Sequence, residues 1–553
     1  MTNGTEERVL IVGWDGATFD LITPWVQQGR LPHTARLIAE GAQRQLLSTI
    51  PTLSPPAWTS LITGKNPGRH GTFDFVRRQP GTYDLQTVRN DLPSLGTVFH
   101  WVSQAGKKVG VLNVPFTYPP EPVNGFMVSG LGAAPQWKFT YPAELRHELL
   151  AQGYAIDFPI AYREGNDQAY LEAVLATTRR QADVALQLMR DRAWDLFMVV
   201  FTGIDQVLSF LWHHFDPTHP RHDPALAFLG EGVLTLHQLL DTVLGEMMEI
   251  AGASATIALV SDHGMGPLYK EVFLNNWLRS RGYLVMREMP RPATGYQRIM
   301  RRLGITREGI WRRIGRARTQ AIKRRLPASW QRLVPTEHPS LADHVDWERT
   351  RAYSFGNVGQ IYINLAGREP RGIVQPGAEY RAVVDALARD LRDLTDPQTG
   401  ERLVDAVYHR EELYDGPFLE QAPDLNLIMR NYSYITQMRR ELASHELVAP
   451  SVNMSGFHRR EGIFIARGPA VVRGAYAPAD ITAVTPTVLH LMGLPIPDDM
   501  DGQVMTDLYA PDLPPPHRLS ARGRFSAQVA TPTLSAQEEE EMLKRLKDLG
   551  YLA

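Results

Sequence analysis

The chain contains no cysteine among its 553 residues. Disulfide cross-links, thiolate metal sites and a cysteine nucleophile are therefore excluded, and any metal would be held by His, Asp, Glu and hydroxyl oxygens. A large excess of either charge is also missing. A formal net charge of −2 gives no global field to attract nucleic acid or an acidic membrane surface, so no specific nucleic-acid binding is expected. No apolar run approaches the length of a membrane span. The opening residues MTNGTEER lack the charged-then-apolar pattern of a secretory signal, and the short VLIVG run after them leads straight into WDG. These absences predict a cytoplasmic protein without a transmembrane segment and leave its oligomeric state open.

What is present is enough apolar material, 43% of residues, for a large core plus at least one extra module. Val9 to Gly13 is a short, β-branched, apolar run, the pattern of a strand buried on both faces of a parallel sheet, and Asp15 follows it. The same shape recurs at 196–205 (LFMVVFTGID), which delivers Asp205, and at 256–263 (TIALVSDH), which delivers Asp262 and His263. An aspartate at a strand end is often only a turn or cap residue. Three on similar runs match the place where open α/β sheets gather their ligands.

Helical spacing at 167–190 and further strand-like runs at 108–114 and 126–131 alternate with these. The alternation predicts an α/β fold with a mainly parallel central sheet and helices on both faces. Residues 287–332 are strongly basic with an interrupted apolar stripe, reading either as a helical cap with a solvated basic face or as a surface that attracts a polyanion. The core is expected to resume near 351, with strands at 360–364 and 424–429 and a helix at 376–396. His458 follows on a Gly- and Arg-rich loop, and a helix opens at Thr485. Residues 510–534 read as a linker. A short final helix carries Ser535 and Glu538 as a capping box and Gly550 after it.

Residues 51–71, PTLSPPAWTSLITGKNPGRHG, place Ser54 ahead of Pro55 and of an apolar run closing at Gly64. Pro55 suits the first helical position and Gly64 the left-handed residue past the end. Ser54 is then either an ordinary N-cap or a reactive hydroxyl at a helix start, where free N–H groups and the macrodipole attract an anion.

The reactive candidates are thus Asp15, Ser54, Asp205, Asp262, His263 and His458, oxygen and nitrogen donors that suit Zn²⁺ or Mn²⁺. Two such ions about 4 Å apart can activate a hydroxyl and clamp an in-line displacement at phosphorus. Through VLIVGWDG, PTLSPPAWTSLITGKNPGRHG, SDHGMGP, SGFHRREGIF and the closing DLGYL, most of the chain resembles the alkaline phosphatase superfamily, in its type I phosphodiesterase/nucleotide pyrophosphatase branch. The resemblance implies a metal-dependent phosphohydrolase acting on a small phosphorylated substrate, a phosphodiester or a nucleotide-type pyrophosphate. It also implies two divalent ions, Zn²⁺ with Mn²⁺ as the alternative. Asp15, Ser54, Asp262 and His263 would form one site, with Ser54 transiently phosphorylated. Asp205 and His458 would belong to the second.

One position departs from that pattern. Ser209 stands where the family has a histidine one helical turn after the aspartate matched to Asp205, so the second site is expected to be weak. His213 lies two turns from Asp205 and is expected to pack or to face solvent. The departure keeps open a degenerate, single-metal member that binds a phosphorylated ligand or partner with little catalysis. Monoester hydrolysis and phosphomutase activity rank below diester cleavage. So does sulfatase activity, since Ser54-Pro55-Pro56-Ala57-Trp58 lacks the arginine of that signature. The expected domains are a core at 1–275 and 346–510, a basic helical cap insertion at 276–345, and a linker with C-terminal helix at 511–553.

Overall fold

In a computed structural model of the chain, the described residues are 8–79, 81–88, 92–134, 136–287, 344–437, 445–509, 514–520 and 536–548. The first half supplies Val9–Trp14 (β1), Ala42–Leu47 (β2), Ser54–Thr63 (α1), Val109–Val114 (β3), Gly125–Ser129 (β4), Thr140–Tyr141 (β5), Asp167–Asp191 (α2), Leu196–Phe201 (β6), Gly203–Phe215 (α3), Phe228–Ala251 (α4), Thr256–Val260 (β7) and Gly264–Pro267 (β8). The second half adds Ala352–Ser354 (β9), Gln360–Ile363 (β10), Ala378–Arg392 (α5), Val404–His409 (β11), Leu425–Met429 (β12), Gly456–Arg459 (β13), Glu461–Arg467 (β14), Gly474–Ala475 (β15), Ala479–Asp480 (β16), Val484–Leu491 (α6) and Ala536–Asp548 (α7).

Among the described residues the central sheet has ten strands in the order β15-β2-β14-β7-β1-β6-β3-β4-β5, with β16 also pairing β2. β1 runs parallel to β6 and β7, and β3 runs parallel to β4 and β6. β14 is antiparallel to both its neighbours, and β5 is antiparallel to β4. This is the α/β fold, mainly parallel with helices on both faces, that the alternating pattern predicts.

Strand side chains alternate between faces, so each fully apolar run feeds two cores. Leu10, Val12 and Trp14 of β1, with Phe197, Val199 and Phe201 of β6, pack against α2, α3 and α4. Val9 and Ile11, with Leu196, Met198 and Val200, pack on the other face against α1 and α6. A central strand with no polar face is the consequence of burial on both sides.

Two expectations change. The strands at 360–364 and 424–429 do not resume the central sheet. β10 and β12 join a separate four-stranded antiparallel sheet, ordered β9-β10-β12-β11, whose own core includes Ile361, Leu387, Leu391, Leu425 and Leu427. A buried apolar run does not reveal which sheet it joins, and the chain returns to the central sheet only at β14. The basic segment at 287–332 and the cap insertion at 276–345 lie, from 288 to 343, outside the described residues, as do Ser535, Gly550 and most of the 510–534 linker. The C-terminal helix α7 is described, and its Met542 and Leu546 are buried against the first core. No helix among the described residues is long and apolar enough to cross a membrane.

Candidate active site

β1 sits between β6 and β7, with Val9 opposite both Leu196 and Thr256. Neighbouring strands lie about 4.8 Å apart, so acids leaving the C-terminal ends of these three strands are brought side by side. Asp15 follows β1, and the turn after it needs Gly16 at φ +74°, where an added Cβ would lie 3.1 Å from the Asp205 backbone. Asp205 is the third residue of α3, which starts directly after β6. Asp262 and His263 connect β7 to β8. All four side chains are buried.

Ser54 and His458 arrive differently from expectation. Leu53, extended at φ −127° and ψ 146°, is the N-cap of α1, which makes Ser54 the first helical residue and Pro55 the second, and the Ser54 side chain caps nothing. The helix start also offers fewer free donors than expected. Pro55 and Pro56 have no N–H, and Ala57 N–H already donates to Leu53 O at 3.1 Å. Only Ser54 N–H and the macrodipole remain to attract an anion. At the other end, Gly64 is left-handed at φ +68° as the sequence predicts. His458 lies on a strand, not a loop: β13 pairs antiparallel with β8, with Met265 opposite His458. The four residues Gly-Phe-His-Arg carry no strand signature of their own, and the pairing is supplied by a distant segment. Gly456 lets β13 lie directly on α3, since a Cβ there would meet Leu208 O at 2.3 Å.

The six side chains converge. Ser54 Oγ is 3.2 Å from His263 Nε2, which is 3.3 Å from Asp262 and 3.6 Å from Asp15. His458 Nε2 is 3.2 Å from Asp205 Oδ1, and the His263 and His458 rings stack with centroids 3.6 Å apart. One ligand atom each from Asp15, Asp262 and His263 falls within 4.8 Å of the others, and the same holds for Asp205, His263 and His458. His263 therefore belongs to both groups, whereas the sequence pattern assigns it to one.

Proton positions show what this arrangement suits. A carbonyl oxygen can only accept, so His263 Nδ1 donates to Gly264 O at 3.1 Å and His458 Nδ1 donates to Thr52 O at 2.6 Å. In the neutral imidazole that burial favours for His263, Nε2 is then unprotonated and faces Asp15 and Asp262, while His458 Nε2 faces Asp205. Asp15 Oδ1 and Asp262 Oδ2 are buried with no hydrogen-bond donor among the described residues. Burial pushes the Asp15 carboxyl well above the ordinary carboxylate range, with repulsion from Asp262 and Asp205 adding to it. Burial likewise pushes Asp262 up to about 7 and His263 well below the imidazole range. Buried carboxylates and bare imidazole nitrogens oriented through their second nitrogens fit a divalent cation.

Ser209 lies one turn beyond Asp205 on α3 and is buried, and its Oγ has no hydrogen-bond partner among the described residues. His213 does not face solvent. It is buried with His214 at the far end of α3. Two further residues shape the site without having been singled out by sequence. Trp58 Nε1 donates to Asp15 Oδ2 at 3.0 Å, and the available signal was an indole one helical turn after Ser54. Arg459, buried beside His458, donates to Tyr432 O at 2.9 Å and Pro267 O at 2.6 Å, tying β13 to β8.

The model of the type I phosphodiesterase / nucleotide pyrophosphatase family matches residues 9–458. Among solved structures, phosphonoacetate hydrolase from Sinorhizobium meliloti 1021 in complex with phosphonoformate is similar at 14% identity and a TM-score of 0.51, over 88% of this chain and 95% of that one. The same hydrolase in complex with phosphonoacetate gives 15% and 0.50 over the same shares. Murine ectonucleotide pyrophosphatase / phosphodiesterase 5 gives 13% and 0.49, over 91% of this chain and 100% of that one. No curated protein sequence matches the chain.

Proposed function

Since the chain belongs to the type I phosphodiesterase / nucleotide pyrophosphatase family and is thereby a phosphoric ester hydrolase, we propose that Ser54 is its nucleophile, acting on a small phosphodiester or nucleotide-type pyrophosphate. The observation that carries this reading is the Ser54 hydroxyl, 3.2 Å from the unprotonated Nε2 of His263, at the edge of a buried cluster of three carboxylates. Asp15, Asp262 and His263, with Ser54 Oγ, would hold one divalent ion. Asp205 and His458 would hold the second, with Zn²⁺ the ion the donors favour and Mn²⁺ the alternative. Bound there, the ions would lower the pKa of the Ser54 hydroxyl and neutralise charge on the phosphoryl oxygens.

The chain's own groups do the rest. The α1 start aims Ser54 Oγ at the cluster, and the positive end of the helix favours an incoming anion. Ser54 Oγ forms a bond to phosphorus as the bond to the leaving oxygen breaks. Water then cleaves the seryl ester and restores the hydroxyl. Trp58 holds Asp15, while Gly264 O and Thr52 O hold the two imidazoles in the tautomer that presents a lone pair.

The test is turnover of a chromogenic phosphodiester by the wild type and Ser54→Ala, with and without chelator. Turnover that a chelator stops and Ser54→Ala abolishes is expected. Wild-type turnover by Ser54→Ala would refute the assignment. A second reading is favoured by Ser209 and by the double membership of His263: one tightly held ion and ligand binding with little turnover. One ion lost on removing the catalytic ligands Asp262, His263 and His458, with no turnover at any added metal, would select it.

A further inference from the structure

A third group of metal-ligating side chains lies away from the catalytic cluster. Asp167, His213 and His214 each offer a ligand atom, and these fall within 4.8 Å of one another. Asp167 is the first residue of α2, and the two histidines occupy the last turn of α3. His213 lies eight residues beyond Asp205 on α3, about 12 Å along the axis, so the group is not part of the phosphoryl site.

His213 is held through its second nitrogen, as a ligating histidine is. Ser455 Oγ donates its own proton to Phe210 O at 2.8 Å, so at 2.9 Å it accepts from His213 Nδ1. In the neutral imidazole, His213 Nε2 is then left with a lone pair. His214 Nε2 is 3.1 Å from Asp167 Oδ1, and the two histidine rings have centroids 4.0 Å apart. The Tyr162 hydroxyl donates to Asp167 Oδ1 at 3.1 Å and fixes the carboxylate. A plain His214–Asp167 pair accounts for those two residues but not for the third donor, His213, whose ligand atom falls within 4.8 Å of both.

We propose that Asp167, His213 and His214 bind a divalent transition-metal ion of the zinc type at a structural site separate from the catalytic one. Two imidazoles and one carboxylate suit Zn²⁺ or Co²⁺, whereas Ca²⁺ and Mg²⁺ require mostly oxygen donors. The ion would pin the start of α2 to the end of α3. Through Ser455, whose N–H donates to Ser209 O at 2.8 Å, it would also brace the strand that carries His458.

The test uses Co²⁺ as the probe, in the full chain carrying Asp262→Asn, His263→Gln and His458→Gln to disable the catalytic ligands. One equivalent with the visible bands of tetrahedral Co²⁺ is expected. That equivalent should disappear when Asp167→Asn and His213→Gln are added, with the far-UV circular dichroism unchanged. In the otherwise wild-type chain the same two substitutions should lower the cobalt count in native mass spectrometry by one. Absence of Co²⁺ binding in the disabled background, or survival of the equivalent and of the native count after both substitutions, overturns the proposal.

Discussion

Replacing Trp58 by Phe removes one hydrogen bond from the cluster and leaves every proposed ligand in place. The indole N–H donates to Asp15 Oδ2 at 3.0 Å, and both groups are fully buried. With an ion bound, Asp15 must be ionised, and a hydrogen bond to a buried charged group is worth about 1.5–3 kcal/mol. In the metal-free protein the account differs. Burial and the neighbouring carboxylates push the Asp15 carboxyl toward its neutral form, and a hydrogen bond to a neutral acid is worth about 0.5–1.5 kcal/mol, to which the space left by the smaller ring adds. The affinity changes by the difference between the two hydrogen bonds, about 1–1.5 kcal/mol, and at about 1.4 kcal/mol per decade the variant should bind Zn²⁺ roughly 5–12-fold more weakly. Zinc titration against a competing chelator measures the difference between the two losses. Thermal unfolding with and without zinc measures the difference between the two forms. Unchanged zinc affinity, with the same loss of melting temperature in both forms, would refute the view that Asp15 ligates as an anion steadied by Trp58.

Ser209→His should tighten the second ion and raise turnover at limiting metal, because an imidazole one turn from Asp205 supplies the nitrogen that a hydroxyl does not; metal titration of diester hydrolysis reads it. Gly456→Ala should lower the melting temperature and the turnover together, since its Cβ would sit 2.3 Å from Leu208 O and push β13 off α3 at a cost of about 1–3 kcal/mol. Asp74 lies outside the cluster, and burial pushes its carboxyl up to about 7 from an ordinary 3.8. The folded state therefore holds a proton that the unfolded chain has released, and stability falls as pH rises between those two values. Asp74→Asn cannot ionise and should flatten that part of the profile, by at most about 4 kcal/mol. Parallel melting curves of the metal-free proteins across this window check it.

Much of the site could be read from three short strands. β1, β6 and β7 announce themselves as apolar runs ended by acid because each is buried on both faces, and the same burial makes them adjacent centre strands. Asp15, Asp205 and Asp262 were therefore legible both as residues and as neighbours. His458 was legible as a residue but not as part of a strand, because β13 owes its conformation to pairing with β8 rather than to its own four residues. The position of Ser54 was off by one for a similar reason: a serine before proline suggests a cap, yet the extended residue that caps α1 is Leu53, an apolar side chain with no capping oxygen. The double membership of His263 and the Trp58–Asp15 bond depend on angles between elements, which spacing along the chain does not encode.

The stereochemical course at phosphorus tests the central claim most directly. A substrate diester made chiral with sulfur and isotopic oxygen would pass through two in-line displacements if a seryl ester forms on the enzyme, and each displacement inverts the centre. The product should then show net retention of configuration. Net inversion would mean that water attacks phosphorus directly, and that Ser54 is not the nucleophile.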